Sequence, residues 1–227
     1  MERWPGNLGL IAFDNLLLKF FLPLGLVGFC ENVQRLNYGL INIYKLNHFI
    51  WGMLSFLLLD LAIYFQHVVS HKWKFFWNFH QVHHSDTDLD LTSGLRFHPG
   101  EILISTLYKM LIVLVLGISP IVFLIFEIVL NSMAMFNHSN IYIPEKIESK
   151  LRKFIVTPQM HIIHHSVDKI DSDKNYGFNL SIWDRVFKTY TPQFSSSDQI
   201  GQLGLEKSED QQFFKLLIQP INKGLNE

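Results

Sequence analysis

Most of the eleven histidines in this 227-residue chain are gathered into clusters. His67 and His71 enclose Val-Val-Ser. His80, His83 and His84 form the pattern HxxHH, and His161, His164 and His165 repeat it about 80 residues later. On a helix, positions i and i+4 share a face, and offsets of 0, +3 and +4 fall within an arc of about 100°. Each triplet is therefore expected to aim three imidazole nitrogens at one point. His98 and His138 stand just before and just after a long apolar stretch and join the candidate set. A lone histidine is ordinarily a hydrogen-bonded core or surface residue, and His48 is left out on that ground.

Clustered imidazoles without a cation repel one another when protonated and leave unsatisfied groups when neutral and buried. The pattern therefore predicts metal binding, and eight to ten ligands suit two ions better than one. Imidazole suits zinc, copper, iron and nickel, so ligand type leaves the metal open. A hydrolytic zinc site of the HExxH kind needs a glutamate that the His67–His71 interval lacks. A redox metal that activates oxygen beside a lipid phase fits better. A closed structural zinc site and a metal-transport conduit are the rival readings, and the gathering of ligands at one surface disfavours the conduit.

Several acids accompany the histidines. Asp60, Tyr64, His67 and His71 form one helical stripe, so Asp60 is expected either to fix an imidazole tautomer or to make a helix-packing contact. Glu127, Asn131 and His138 form a second stripe, with Glu127 supporting a ligand or lining a substrate cavity. Pro99 reads as the first residue of a helix, which places Glu101 one turn from His98, where it is expected to orient that histidine or to complete the metal shell. Asp184 is expected to hydrogen-bond a third-cluster histidine or to balance nearby arginine charge. Asp86, Asp88 and Asp90 read as a solvated loop.

The elements that must position these residues are largely apolar. Hydrophobic residues make up 48% of the chain and charged ones 17%, below the roughly 25% of a soluble domain. Four apolar stretches are visible: Leu8 to Phe29, interrupted by Asp14 and Lys19; Phe49 to Val69; Ile102 to Leu116; and Ile121 to Met135. Gly117-Ile-Ser-Pro120 reads as a turn joining the last two into a hairpin. Each arm, about 22 Å at about 1.5 Å per residue, is short for a full crossing. The first run is expected to stay as a span, since it is too long for a cleaved leader and lacks a small-residue cleavage site. The fold class expected is all-α: an integral, multi-pass membrane helical bundle with a helical cap carrying histidine boxes. The chain reads as one domain, with membrane helices over 1–137, a cap over 138–190 and a peripheral tail over 191–227.

Loop 31–47 holds only Arg35 and Lys45, whereas 11 basic residues follow Asn137. The positive-inside bias therefore puts the histidine boxes on the cytoplasmic face. A net charge of -1 argues against a nucleic-acid partner, and the single Cys30 excludes a disulfide framework or thiolate cage.

The order HxxxH, HxxHH, HxxHH around a membrane hairpin resembles the fatty acid hydroxylase superfamily, which includes the sterol desaturases. The resemblance runs from about Leu46 to Tyr190. It includes Tyr64-Phe-Gln-His67, Arg96-Phe-His-Pro-Gly-Glu101, Phe136-Asn-His-Ser-Asn140, Asn175-Tyr-Gly-Phe-Asn179 and Ile182-Trp-Asp-Arg-Val-Phe187. It implies a non-haem centre of two Fe ions, with zinc as a possible substitute, that uses O2 to hydroxylate or desaturate a membrane lipid. The ligands carried over are His67, His71, His80, His83, His84, His161, His164 and His165. His138 matches a further histidine after the hairpin, and His98 a motif that part of the family shares. The boxes alone do not separate hydroxylase, desaturase and ether-lipid monooxygenase. The chain has no haem-binding or flavin-binding segment, so the reductant is expected to be a separate ferredoxin or cytochrome b5 type protein with its reductase.

Overall fold

A computed structural model describes residues 3–22, 24–45, 47–197, 200–205 and 212–221, apart from the side chain of His48. Among them the chain is helical, and four helical segments are long and apolar enough to cross a membrane. The first apolar run is divided: α1 covers Trp4–Phe21 and α2 Gly25–Arg35, followed by a short α3, Leu40–Ile43. The break falls beside Pro23 of the sequence, which fits the rule that helices end before proline.

α4, His48–Lys72, starts at Asn47, whose side chain accepts from the backbone N–H groups of Phe49 and Ile50. The chain turns at Trp73 into α5, Lys74–His84. α6, Pro99–Leu116, and α7, Pro120–Asn137, form the hairpin. Both start with proline after a side-chain cap, His98 and Ser119 respectively. Each arm is 18 residues long, α6 being extended at its start and α7 mainly at its end. That is about 27 Å at about 1.5 Å per residue, close to the roughly 30 Å of a hydrocarbon layer and longer than the apolar runs alone indicate.

Cys30 and Val33 of α2, Leu59 and Ile63 of α4, Val113 of α6 and Phe126 of α7 meet in one buried core. At the end away from the histidines, loop and hairpin turn touch. Gly39 and Gly117 both have positive φ, and a Cβ on Gly39 would run into the Gly117 backbone. Loop 36–47 and the hairpin turn therefore share one end of the bundle, opposite the histidines.

The cap consists of α8 Glu145–Leu151, α9 Pro158–His164, α10 Lys169–Ser172 and α11 Ile182–Val186. It is fastened to α4 by Lys72 Nζ donating to Asp173 at 2.8 Å and by Trp183 Nε1 donating to Asp60 at 2.8 Å. The stretch read as a peripheral tail contributes α12, Phe213–Ile218, which packs on α1 with Leu216 fully buried beside Leu10 and Val82. Asp198, Gln199, residues 206–211 and residues 222–227 of that stretch lie outside the described residues.

Candidate metal centre

Nine histidines converge on two adjacent points. His67, His71, His80, His84 and His164 form one buried group; His83, His138, His161 and His165 form the other. Within each group the candidate ligand atoms all lie within 4.8 Å of one another. The helical logic differs from the expectation that each triplet serves a single point. In α5 the i, i+4 pair His80 and His84 serves the five-histidine group, while His83 serves the other. In and just after α9 the roles invert: His161 and His165 pair in the four-histidine group, and His164 crosses to the five. The i+3 side chain leaves the helix about 100° away from its i+4 neighbour, enough to face a different point.

Two nitrogens on one ion at about 2.1 Å stand roughly 3.0–3.4 Å apart, depending on the angle between them. Here His67 Nε2 and His164 Nε2 are 2.9 Å apart, and His138 Nε2 lies 3.1 Å from the Nε2 atoms of His83, His161 and His165. The Nε2 atoms of His71, His80 and His84 are buried with no hydrogen-bond partner. Bare nitrogens crowded at this spacing are the donor set that divalent cations take, so the residues fit two metal ions.

The outer nitrogens settle the tautomers. Nδ1–H donates from His67 to the Tyr176 carbonyl at 2.7 Å, from His164 to Lys174 at 2.7 Å, from His138 to Ala134 at 2.6 Å and from His83 to Arg96 at 3.2 Å. A carbonyl can only accept, so each of these rings presents a bare Nε2 inward. His80 instead donates to a carboxylate, Glu101 Oε1, at 2.7 Å. Burial among other imidazoles favours the neutral form of six of these rings: it pulls His138 down to about 4 and His164 to about 3, and lowers His83, His84, His161 and His165 as well.

His98 is not brought into either group. Its Nδ1 accepts from Gly100 N at 3.0 Å as the cap of α6, and its Nε2 donates to the Leu217 carbonyl at 3.1 Å. Both nitrogens are spent on holding α6 and the tail. Among the acids, Asp60 and Glu127 each take one of the two roles expected, packing and lining a cavity, whereas Glu101 and Asp184 act on other partners. Glu101 orients His80 in place of His98. Asp60 accepts from Trp183 and the Leu180 N–H, a packing contact that touches no imidazole. Glu127 pairs with Lys109 at 2.6 Å. Asp184 accepts from the N–H groups of Tyr176 and Gly177 and from Thr189, so it reaches the site through the segment whose carbonyl orients His67.

The sequence reading missed a clamp over the second box. Asp86 is fully buried and pairs with Arg3 at 3.0 Å and Arg96 at 3.3 Å, and Arg3 also reaches Asp90 at 2.6 Å. Of the three acids only Asp88 is the solvated residue expected. Alternating Asp86, Asp88 and Asp90 after a histidine box was the available signal, but the partner all three share, Arg3, lies more than 80 positions away.

Beneath the histidines a cavity of about 470 Å³ descends between α1, α2, α4, α6 and α7. His67 and His80 border it, as do Phe97, Phe178, Ile102 and Leu130.

The model of the fatty acid hydroxylase family matches residues 52–189, a segment that contains all nine clustered histidines. The chain is 29% identical over 177 residues to ornithine lipid hydroxylase OlsE of Rhizobium tropici, covering 75% of this chain and 50% of that protein. It is 33% identical over 141 residues to alkylglycerol monooxygenase of Danio rerio, covering 62% of this chain and 30% of that protein. The Homo sapiens alkylglycerol monooxygenase is 30% identical over 157 residues, covering 68% and 33%. The chain thus spans half or less of the length of these curated relatives. No solved structure matches it.

Proposed function

Since this chain belongs to the fatty acid hydroxylase family, we propose that it is a membrane-bound oxidoreductase in which two iron ions and O2 oxidise a lipid C–H bond. The observation that carries this reading is the division of nine buried histidines into two groups with bare nitrogens turned inward. His67, His71, His80, His84 and His164 would hold one ion, and His83, His138, His161 and His165 the other. When bound, such a pair would supply dioxygen activation and the route by which electrons from the donor and from the substrate C–H bond reach oxygen.

The chain's own residues do the remaining work. Backbone carbonyls of Tyr176, Lys174, Ala134 and Arg96, with the Glu101 carboxylate, fix ring orientation before metal arrives. Preset ligands lower the reorganisation cost of binding and reaction. The apolar cavity wall takes up a lipid from the bilayer and keeps bulk water from the bond being oxidised. The names of the relatives, a hydroxylase and a monooxygenase, favour oxygen insertion over desaturation. The Lys and Arg bias favours a cytoplasmic position for the cap, where a separate ferredoxin or cytochrome b5 type donor would deliver electrons.

The first test is metal content per chain on protein purified in mild detergent, with iron and zinc counted separately. About two irons are expected, with fewer in His83→Ala and in His164→Ala, which strike different groups. Wild-type protein given O2, a reductant and membrane lipids should yield a hydroxylated product. One zinc or none after iron-supplemented growth would sink the reading.

A further inference from the structure

The cavity under the histidines carries more charge than a hydrocarbon chain needs. Four ionisable side chains other than histidine line it: Asp14, Glu101, Lys109 and Glu127. Lys109 and Glu127 neutralise each other at 2.6 Å, and Glu101 takes the His80 Nδ1–H. Asp14 is left over. It sits in the middle of α1, which packs against α6, and is only 6% exposed. Its Oδ1 is buried with no hydrogen-bond partner. An ionisable group inside a span is costly unless something compensates it, and among the described residues none hydrogen-bonds or pairs with Asp14 Oδ1.

The geometry points to Asp14 as the binding residue for an aliphatic ammonium on the substrate, so that the lipid oxidised is an amine-bearing one. This rests on the reading of the cavity as the lipid site and narrows its substrate class. A plain acyl or alkyl chain would displace water from Asp14 and return nothing. A hydroxyl supplies a donor without charge, and a phosphate or carboxylate would be repelled by Asp14 and Glu101. An ammonium supplies both donor and charge, and hydrogen bonds between ionised partners are roughly twice as strong as neutral ones. Asn15, Gln66, Ser105 and Thr106, also on the cavity wall, provide further polar contacts for the group that carries the amine. The lipid would then present its headgroup, rather than the end of a chain, to the cavity that His67 and His80 border.

The test needs no turnover. Hexadecylamine and hexadecanol, equal in chain length, are titrated against the purified, metal-loaded full chain in detergent, and binding is read from the shift in melting temperature. Wild type should bind the amine about tenfold or more tightly than the alcohol, as expected for a charged over a neutral hydrogen bond. Asp14→Asn should lose that preference while keeping its metal content, and Asp14→Glu should retain part of it. Equal binding of amine and alcohol by wild type, or an undiminished preference in Asp14→Asn, would overturn the assignment. Should Asp14→Asn fail to fold, the wild-type comparison and Asp14→Glu still decide. A protein that prefers the amine but oxidises no lipid would refute the oxygenase reading alone; one that oxidises neutral alkylglycerol without any amine preference would refute only the role of Asp14.

Discussion

His98 and Glu101 lie three residues apart at the start of α6, yet the structure gives them opposite fates. His98 spends both nitrogens on the cap of its helix and on the Leu217 carbonyl, whereas Glu101 faces the ring of His80. Removing a helix cap costs about 1 kcal/mol. His98→Ala should therefore lower the melting temperature by a few degrees and leave the metal count at its wild-type value. Glu101→Gln keeps the size and an acceptor but removes the charge behind His80. Loss of such a supporting partner typically weakens metal binding about 10–100-fold. Chelator competition on the two variants separates these outcomes; metal loss in His98→Ala, or none in Glu101→Gln, would contradict the roles assigned. The nine clustered histidines were legible from spacing, and Glu101 from its place in a predicted first turn. The carbonyls of Tyr176 and Lys174 were not, because a main-chain acceptor carries no residue type. The split of each HxxHH between two points was also hidden, since an arc of about 100° reads as one direction until a second centre is known.

At the scale of elements, the four apolar runs and the Gly117–Pro120 turn announced the bundle, while its fastening points were silent. Gly39 followed a polar loop and gave no sign that it packs on Gly117. Both glycines have positive φ, and a methyl group on Gly39 would strike the facing backbone. Gly39→Ala combines an unfavourable backbone conformation with a steric clash, each of order 1–3 kcal/mol. It should lower stability by about 2–6 kcal/mol in a detergent unfolding experiment, with metal binding preserved in the folded fraction. A change within about 0.5 kcal/mol would show that loop and hairpin do not meet. The break between α1 and α2 was readable in principle from Pro23, but the unbroken hydrophobicity of residues 22–30 masked it. α12 was missed because a six-residue apolar segment at the end of a polar stretch has too few turns to show periodicity.

At the scale of the whole molecule, helices from two parts of the chain meet at the histidines. α4, α5 and the end of α7 come from the membrane bundle and α9 from the cap, and between them they supply the rings of the two adjacent groups. Metal ions bound there would cross-link bundle to cap and stabilise the native state by mass action, roughly 2.7 kcal/mol for ligand at a hundredfold excess over its Kd. Stripping the protein with a chelator should lower its melting temperature by several degrees, and readdition of ferrous iron should restore it. An unchanged melting temperature would mean that direct contacts such as Trp183 with Asp60 and Lys72 with Asp173 hold the cap without the metal. That long-range assembly was only partly visible in the sequence. Matching motifs on either side of the hairpin implied that the cap folds back onto the bundle. The Arg3–Asp86–Arg96 clamp, which seats α1 against the second box, depends on pairing over more than 80 residues and was not.

The sharing of α5 and α9 between both groups has a mechanical corollary. A small roll of α5 about its axis would draw His83 away from one centre while driving His80 and His84 further into the other. α9 is geared in the opposite sense, with two rings on the first side and one on the second. A motion of either helix therefore reaches both centres at once, and the gauge between them is set by the girth of two helices, much as the spacing of two wheels is set by a common axle.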